Sequence, residues 1–409
     1  MASNKTSLEE NINEFNRWML FGDEELDLIF NKSSDNELVR NIALKRFIFL
    51  IPILGRGFIY SIYLFLKQFP SKTLNKSEVP NHILVESEAK HHHKNYFRFF
   101  PKGHDQNYLL IKCFKKDDFT KITYVPLIKI LQNFFRNLIQ VYKFLSIGMS
   151  SEVRIKVLRI IYSNIPIYSY FCALLSELKS MNKSVEIYHG GAGLVALAAN
   201  MINIRTSLYS HGFINKIPSI NIPRDDKIYV YSDEEVTYLS AILKNSEIKK
   251  YPSLELKQKE KKVILFLNPD SRMSEKELEH IIDLVQFFNT KDYEIFARRH
   301  PAEWGEIGRN LCSLLNIGFC DEEIEINQLL DLEKPEFTVS FLSTTICESL
   351  SAGIIPICIS DNTKNKYDKL ESVYPLERRS YFWNSESRLI KELIEEDNYL
   401  ESLQTLKSR

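Results

Sequence analysis

The sequence predicts an α/β protein with two Rossmann-like domains and an N-terminal helical region. Short apolar runs typical of buried parallel strands alternate with helical patterns in two separate parts of the chain. Polar residues follow several of these runs, where strands would end and loops begin. We expect a first domain over residues 1–245, a second over 246–385 facing it across a central cleft, and a helix over 386–409 packing back on the first domain.

Length and charge distribution narrow the classes of partner. The chain has 409 residues, of which 44% are hydrophobic, which is enough for more than one core. The formal net charge is zero, but residues 1–40 contain four Lys or Arg and nine Asp or Glu, whereas residues 41–150 contain 17 and six. The basic region suits an anionic membrane surface or an acidic acceptor. Because no nucleic-acid-binding motif accompanies the charge, we expect no nucleic-acid partner.

The cysteines and the first residues indicate the compartment. Six cysteines are scattered without CxxC spacing, which is typical of buried thiols in a reducing compartment. The polar, acidic start of the sequence does not resemble a signal peptide. We therefore expect a cytoplasmic protein, and its basic region allows peripheral contact with a membrane.

Residues 45–72 contain the most hydrophobic stretch of the chain, Phe47–Phe69. Pro52, the pair Gly55 and Gly57, and Arg56 interrupt its middle, and an arginine at the bilayer centre is costly. We expect a pair of helices lying in the membrane interface, or a hairpin in the protein core, rather than a membrane span. A second basic, amphipathic stretch at 124–144 could join the same surface.

Two histidines follow predicted strands of the first domain. The segment 185–211 is typical of a strand, a glycine-rich turn, a helix and a second strand, with His189 after the first strand and His211 after the second. The pKa of an imidazole suits a general base, so both histidines are candidates for catalysis. The alternative is a tight turn with a capping histidine.

The second domain has polar groups after three predicted strands. A charged linker over 244–262 leads to the strand 262–267, and Tyr293–Ala297 and Phe337–Leu342 are further strands. The polar residues that follow these strands are Asn268 and Ser271, then Arg298, Arg299 and His300, then Ser343, Thr344 and Thr345. Hydroxyl groups at a helix start, together with arginine and histidine side chains, would bind an anion. The alternative is an ordinary helix cap and a His-Pro turn.

The His300-Pro301 pair and the hydroxyl group Ser343, Thr344 and Thr345, about forty residues later, carry a resemblance. They resemble the nucleotide half of bacterial sialyltransferases and related CMP-sugar transferases of the GT-B fold. The resemblance implies that His300 holds the phosphate of a CMP-activated donor and assists the departure of CMP. It implies phosphate contacts from Ser343 and Thr344.

The same resemblance extends to two further residues. An acidic residue between the motifs commonly binds the cytidine ribose, and Glu325 is the best-placed candidate. The pair His211-Gly212 is similar to the His-Gly of teichoic acid polymerases, in which the histidine is the base. The acidic motif of the sialyltransferases is absent, so the chain departs from them in its choice of base.

The expected activity is transfer of a nonulosonic acid, such as sialic or pseudaminic acid, or of Kdo from a CMP-sugar to a glycan or glycolipid in capsule or lipopolysaccharide synthesis. The alternatives are a CDP-polyol phosphotransferase and a non-catalytic membrane-bound assembly subunit. No cofactor is expected beyond the donor. No metal is expected either, because the acidic pairs Asp117-Asp118 and Asp225-Asp226 have adjacent residues and are interpreted as loop charges.

Overall fold

The structure of the chain is a computed structural model in which two compact units are resolved. The first comprises residues up to 210 with 217–229 and 240–249, and the second comprises 211–216, 230–239 and 250–409. The structure describes residues 42–67, 79–86, 108–112, 125–144, 151–190, 193–210, 214, 225–243, 245–251, 259–268, 273–299, 306–320, 324, 326–341, 343, 345–359, 373–374, 379–395 and 399–408.

The first sheet has six strands in the order β2-β1-β3-β4-β5-β6. The pairings among the first five strands are all parallel. The strands are β1 (His82–Glu86), β2 (Tyr108–Lys112), β3 (Glu186–His189), β4 (Arg205–Tyr209), β5 (Lys227–Val230) and β6 (Glu247–Lys250). The helices over this part of the chain are α1 (Ile42–Lys67), α2 (Leu127–Phe144), α3 (Ser151–Met181), α4 (Gly193–Met201) and α5 (Asp233–Ile242).

One apolar core joins helices α1 to α4 to the strands β1 and β3. Apolar residues recur at helical spacing in α1 and α2, so each helix can bury one stripe of side chains. Helices α1, α2 and α3 pack on one another, and Phe134 of α2 and Phe171 of α3 are among the largest fully buried side chains. The helices preceding β3 are therefore part of the folded first unit.

Helix α1 differs from the expected helical pair in the segment Phe47–Phe69. A single helix runs from Ile42 to Lys67 with Pro52 inside it. Its buried seam consists of Ile53, Gly57, Ser61 and Leu64. Packing of this seam against α2 and α3 outweighs the local breaking tendency of proline and glycine. Within the part of the chain that the structure describes, no helix is long and apolar enough to cross a membrane.

The second sheet has six parallel strands in the order β12-β11-β10-β7-β8-β9. Its strands are β7 (Glu260–Phe266), β8 (Glu294–Arg298), β9 (Gly318–Phe319), β10 (Pro335–Ser340), β11 (Ile355–Cys358) and β12 (Tyr381–Phe382). The accompanying helices are α6 (Glu275–Asn289), α7 (Glu306–Leu314), α8 (Ile326–Glu333), α9 (Thr345–Ser351), α10 (Trp383–Glu395) and α11 (Tyr399–Ser408). This strand order is that of the doubly wound dinucleotide-binding sheet.

Two parallel sheets flanked by helices confirm the predicted α/β class with two Rossmann-like sheets. The predicted linker 244–262 is different, because residues 247–250 form β6 and residue 260 already begins β7. Helices α10 and α11 contribute Ile390 and Leu406 to the core of the second unit. The predicted domain limits, and the packing of 386–409 on the first domain, stay predictions.

The contact between α1 and α2 gives a test of the core. A Cβ atom added to Gly57 would overlap the ring of Phe134, whereas one added to Gly55 would meet nothing within 4 Å. We expect Gly57→Ala to lower the free energy of unfolding by about 1–2 kcal/mol, because Phe134 must move. Gly55→Ala should raise it by up to about 1 kcal/mol through helix propensity. Urea denaturation of both variants checks this, and equal midpoints would contradict the packing.

Candidate functional site

The strand order of the second sheet defines a topological switch point between β7 and β10. These two strands are neighbours, but the chain continues from β7 to β8 on one side and from β10 to β11 on the other. Ligands of open parallel sheets bind at such a point, outside the carboxyl ends of the strands. The register pairs Leu265 with Val339 and Phe266 with Arg298, so the carboxyl ends of β10, β7 and β8 lie at one edge.

Three of the predicted donor-site residues lie at this edge. Asn268 follows β7, Arg298 is the last residue of β8, and Ser343 follows β10. All three residues are partly exposed, although the Nη1 atom of Arg298 is itself buried. The structure thus places an amide, a guanidinium and a hydroxyl on three neighbouring strands.

The Arg298 side chain also supports the backbone next to the site. One of its terminal nitrogens, Nη2, donates a hydrogen bond of 2.6 Å to the carbonyl oxygen of Ile324, in the segment that leads into α8. Its own carbonyl accepts a hydrogen bond of 3.0 Å from the Leu267 N–H, which extends the pairing of β7 and β8 to the sheet edge. The guanidinium is therefore held in position at the end of β8, beside the chain leading to α8.

Ser343 and Thr345 begin α9 as the alternative interpretation expected. The Ser343 hydroxyl oxygen accepts a hydrogen bond of 3.3 Å from the Thr345 N–H, as a capping residue does. A serine hydroxyl in this role retains its own hydrogen for donation to a ligand. Gly353, with φ of 72°, follows the helix and allows the turn into β11.

Several predicted site residues lie outside the described part of the chain. They are His211, Ser271, His300, Glu325 and Thr344. Arg299, directly before His300, is described and partly exposed at the end of β8. The roles of all of these residues stay predictions.

His189 lies at the corresponding point of the first sheet. It is the last residue of β3, and the register places it beside Val85 of β1. Strands β1 and β3 are neighbours, while β2 lies on the other side of β1, so the switch point of this sheet is between them. The predicted position of His189 at a strand end is confirmed, although the residue belongs to the strand rather than to the turn.

The interpretation of Asp225 as a loop charge is wrong, because its side chain is buried and hydrogen-bonded to His189. Its Oδ1 lies 2.8 Å from Nε2 of His189, and both residues are only 3% exposed. The two residues are 36 positions apart, so sequence spacing gives no sign of the contact. A carboxylate on one imidazole nitrogen fixes the orientation of the ring.

Because the His189–Asp225 pair is buried, its loss should be costly. We expect Asp225→Ala to lower the free energy of unfolding by about 2–4 kcal/mol, since a buried imidazole nitrogen loses its partner. The control is Asp233→Ala, which removes an exposed ion pair with Lys250. That change should cost at most about 1 kcal/mol. Similar losses in the two variants, measured by urea denaturation, would contradict a structural role for the pair.

Glu235 binds the backbone of Ile214, and sequence reasoning missed it. Its Oε1 accepts a hydrogen bond of 2.8 Å from the N–H of Ile214, three residues after His211. Its Oε2 accepts from the N–H groups of Tyr231 and Ser232 at 2.9 and 3.0 Å. The Ser232-x-x-Glu235 spacing is a capping-box signal that could have found the helix start, although not the bond to Ile214.

The environment of Glu235 changes its acidity. The residue is fully buried, and desolvation raises the pKa of its carboxyl group from 4.5 to about 7, although the three backbone N–H donors oppose the shift. The Val373 N–H donates to the Ile214 carbonyl oxygen at 2.7 Å, so both backbone polar groups of Ile214 are hydrogen-bonded. Near neutral pH the Glu235 carboxyl therefore titrates while it accepts the hydrogen bond from Ile214.

A pH series tests this assignment. Because the folded-state pKa is higher than the unfolded one, the native state binds more protons between pH 4.5 and about 7. Stability should therefore fall as the pH rises through this window. Relative to Glu235→Gln, which does not titrate, the wild-type free energy of unfolding should fall by about 3 kcal/mol. A constant difference between the two proteins from pH 5 to 8 would contradict the raised pKa.

Neither a protein-family model nor a curated protein sequence matches this chain. Some solved structures are similar to the chain at low identity and with low TM-scores. UGT2 of Phytolacca americana has 10% identity and a TM-score of 0.42, over 80% of this chain and 94% of that protein. Os79 of O. sativa, in complex with UDP and deoxynivalenol-3-glucoside, has 11% identity and a TM-score of 0.43, over 80% of this chain and 94% of that protein. A candidate UDP-N-acetylglucosamine 2-epimerase of Listeria monocytogenes has 10% identity and a TM-score of 0.44, over 80% of this chain and 90% of that protein. At these scores the neighbours do not assign a function to the chain.

Proposed function

We propose that the chain is a GT-B glycosyltransferase whose second unit binds a CMP-activated sugar. The observation that supports this best is the presence of Asn268, Arg298 and Ser343 on three neighbouring strands at a topological switch point. Such a position suits the phosphate and ribose of a nucleotide. The His300-Pro301 motif follows Arg298 and Arg299 directly.

The chemistry of the site residues agrees with a phosphate ligand. Arginine binds phosphate oxygens through charge-assisted hydrogen bonds, and a serine hydroxyl adds a further donor. In the proposed reaction the acceptor hydroxyl oxygen attacks the anomeric carbon, and the bond from this carbon to the phosphate oxygen breaks. CMP leaves with the bonding electrons, stabilised by Arg298, Arg299 and His300. These groups neutralise the phosphate in the proposal, without a metal or other cofactor.

The acceptor hydroxyl must lose a proton during the transfer. We assign this step to His211, which is similar to the base of teichoic acid polymerases, and keep His189 as the second candidate. Glu235 supports the first assignment, because it fixes the backbone three residues after His211. The burial of His189 weighs against direct contact with a sugar.

The proposal extends to the substrate class and the location. The donor sugar is a nonulosonic acid or Kdo, and the acceptor is a glycan or glycolipid of capsule or lipopolysaccharide synthesis at the inner face of a bacterial inner membrane. The residues that favour this class are the His-Pro and hydroxyl motifs. The His211-Gly212 pair favours a second candidate, a CDP-polyol phosphotransferase, which would leave a phosphate in the product.

Nucleotide-dependent thermal stabilisation tests the donor site. CMP, CDP, UDP and GDP are compared at equal concentration, and CMP at about 100 times its Kd should add about 2.7 kcal/mol of stability. Loss of one hydrogen bond to phosphate in Ser343→Ala should weaken CMP binding about tenfold or more, and His300→Ala should do the same. Ser313→Ala, an exposed serine on α7 of the same unit, is the matched control and should bind as wild type.

Each outcome of this experiment selects one interpretation. Preference for CDP would replace the proposal by the polyol phosphate reaction, and preference for UDP would remove the CMP-sugar class. No stabilisation by any nucleotide would favour a non-catalytic assembly subunit. Equal CMP affinity in Ser343→Ala and Ser313→Ala would remove Ser343 from the site.

A further inference from the structure

Helix α1 presents large apolar side chains to solvent on the side opposite its buried seam. Its buried residues recur every three to four positions, as expected for one face of a helix. The exposed side chains on the other face are Ile51, Phe58, Ile59, Tyr63 and Leu66, of which Ile59 is 69% exposed. A helix that is apolar on all sides is normally covered on all sides. The outward face of α1 therefore lacks the polar surface expected of a solvated helix.

Helix α2 also exposes large apolar side chains. It packs beside α1, where Gly57 meets Phe134, and both helices pack on α3. Its exposed apolar residues are Ile128, Phe135 and Ile139. We call these three residues, together with Ile51, Phe58, Ile59, Tyr63 and Leu66, the α1–α2 face. The other exposed large apolar residues of the described chain are scattered over other elements.

The charges on the two helices have one sign. Residues 42–67 and 127–144 together contain seven Lys or Arg and no Asp or Glu. In α2 the cations Lys129 and Arg136 are seven residues apart, which places them on the same side of the helix. Lys129 and Arg136 are exposed next to Ile128 and Phe135, and Lys129 forms an ion pair with Glu177 of α3. Apolar and cationic side chains thus lie side by side on the same surface.

We propose that the α1–α2 face docks on an anionic lipid bilayer. An interfacial surface of this kind binds by burying apolar side chains at the acyl boundary while lysine and arginine contact anionic headgroups. A second copy of the chain is disfavoured, because a symmetric contact through this face would bring like charges together. The inference gives a surface to the membrane location proposed above and rests on that location, but it does not depend on nucleotide binding.

Vesicle co-sedimentation of the full chain tests the proposal. Wild type should bind vesicles containing about one third phosphatidylglycerol at least about tenfold more tightly than pure phosphatidylcholine. Ile59→Glu places a carboxylate at the bilayer contact and should weaken binding to the anionic vesicles about tenfold or more. The control Leu332→Glu alters an equally large apolar residue, 61% exposed on α8, and should leave binding unchanged. Equal binding by the two variants would overturn the proposal.

A second variant separates the charge from the apolar contact. Arg136 is exposed, so Arg136→Gln keeps the fold and removes one cation from the surface. Since one lysine or arginine near an anionic surface corresponds to about a fivefold change in binding, the variant should bind about fivefold more weakly. Binding should also fall as salt concentration rises. Affinity independent of both salt and Arg136 would exclude the electrostatic part of the proposal.

Site-specific labelling tests whether a bilayer, another part of the chain or a second copy of the chain covers the α1–α2 face. A polarity-sensitive fluorophore should attach to the thiol introduced by Ile59→Cys in the free protein. Its emission should then shift to a shorter wavelength when anionic vesicles are added, whereas the emission of the same fluorophore on Leu332→Cys should not shift. The wild-type protein gives the background, since the described cysteines are buried. Failure of the free Ile59→Cys variant to take up the label would mean that another part of the chain covers the face. Self-association that is abolished by Ile59→Glu would mean that a second copy does. Either result overturns the bilayer assignment, and retained stabilisation by CMP would leave the proposed function standing.

Discussion

Parallel pairing of β7 with β10 on one side and β8 on the other is the constraint on which the candidate donor site depends. Parallel strands require long connections, so each strand end is followed by a loop and a helix rather than by a tight turn. Three such loops begin at one edge because the register aligns the strand ends. Polar residues that are 75 positions apart in sequence, from Asn268 to Ser343, therefore share one edge of one sheet. Without that register, the same residues would be unrelated surface groups.

The first unit uses the same principle with a different chemical result. Its switch point, between β1 and β3, carries a buried histidine that is hydrogen-bonded to a buried carboxylate. Burial strengthens such a contact and makes an unpartnered group costly. The switch point of the second unit, in contrast, carries partly exposed groups. Similar sheets thus place a buried hydrogen-bonded pair at one switch point and partly exposed polar residues at the other.

Two adjacent glutamates of the second unit, Glu234 and Glu235, differ in their partners and in the direction of their pKa shifts. Glu235 satisfies three backbone N–H groups that a helix start and a loop would otherwise leave unpaired. Beside it in sequence, Glu234 forms an ion pair of 3.0 Å with Arg379. Partial burial raises the pKa of the Glu234 carboxyl, but a backbone N–H and then the Arg379 guanidinium outweigh this effect, so the net pKa is lowered. Adjacent glutamates therefore have opposite pKa shifts, because one is desolvated without a cation and the other meets a guanidinium. The backbone N–H of Ile214 is bound by Glu235, the glutamate whose carboxyl group has the raised pKa.

The sequence by itself determined the α/β class, the strands β3, β4, β7, β8 and β10, and the strand-end positions of His189, Arg298 and Ser343. These features follow from local patterns: apolar runs, helical spacing and the turn residues between them. The tertiary structure decided which distant groups meet. It paired Asp225 with His189, bonded Glu235 to Ile214, and kept α1 as one helix through Pro52. It also formed β1 and β2, which were not predicted. The physical reason is that burial and register depend on contacts between residues far apart in the chain, and the local periodicity of the sequence does not predict these contacts.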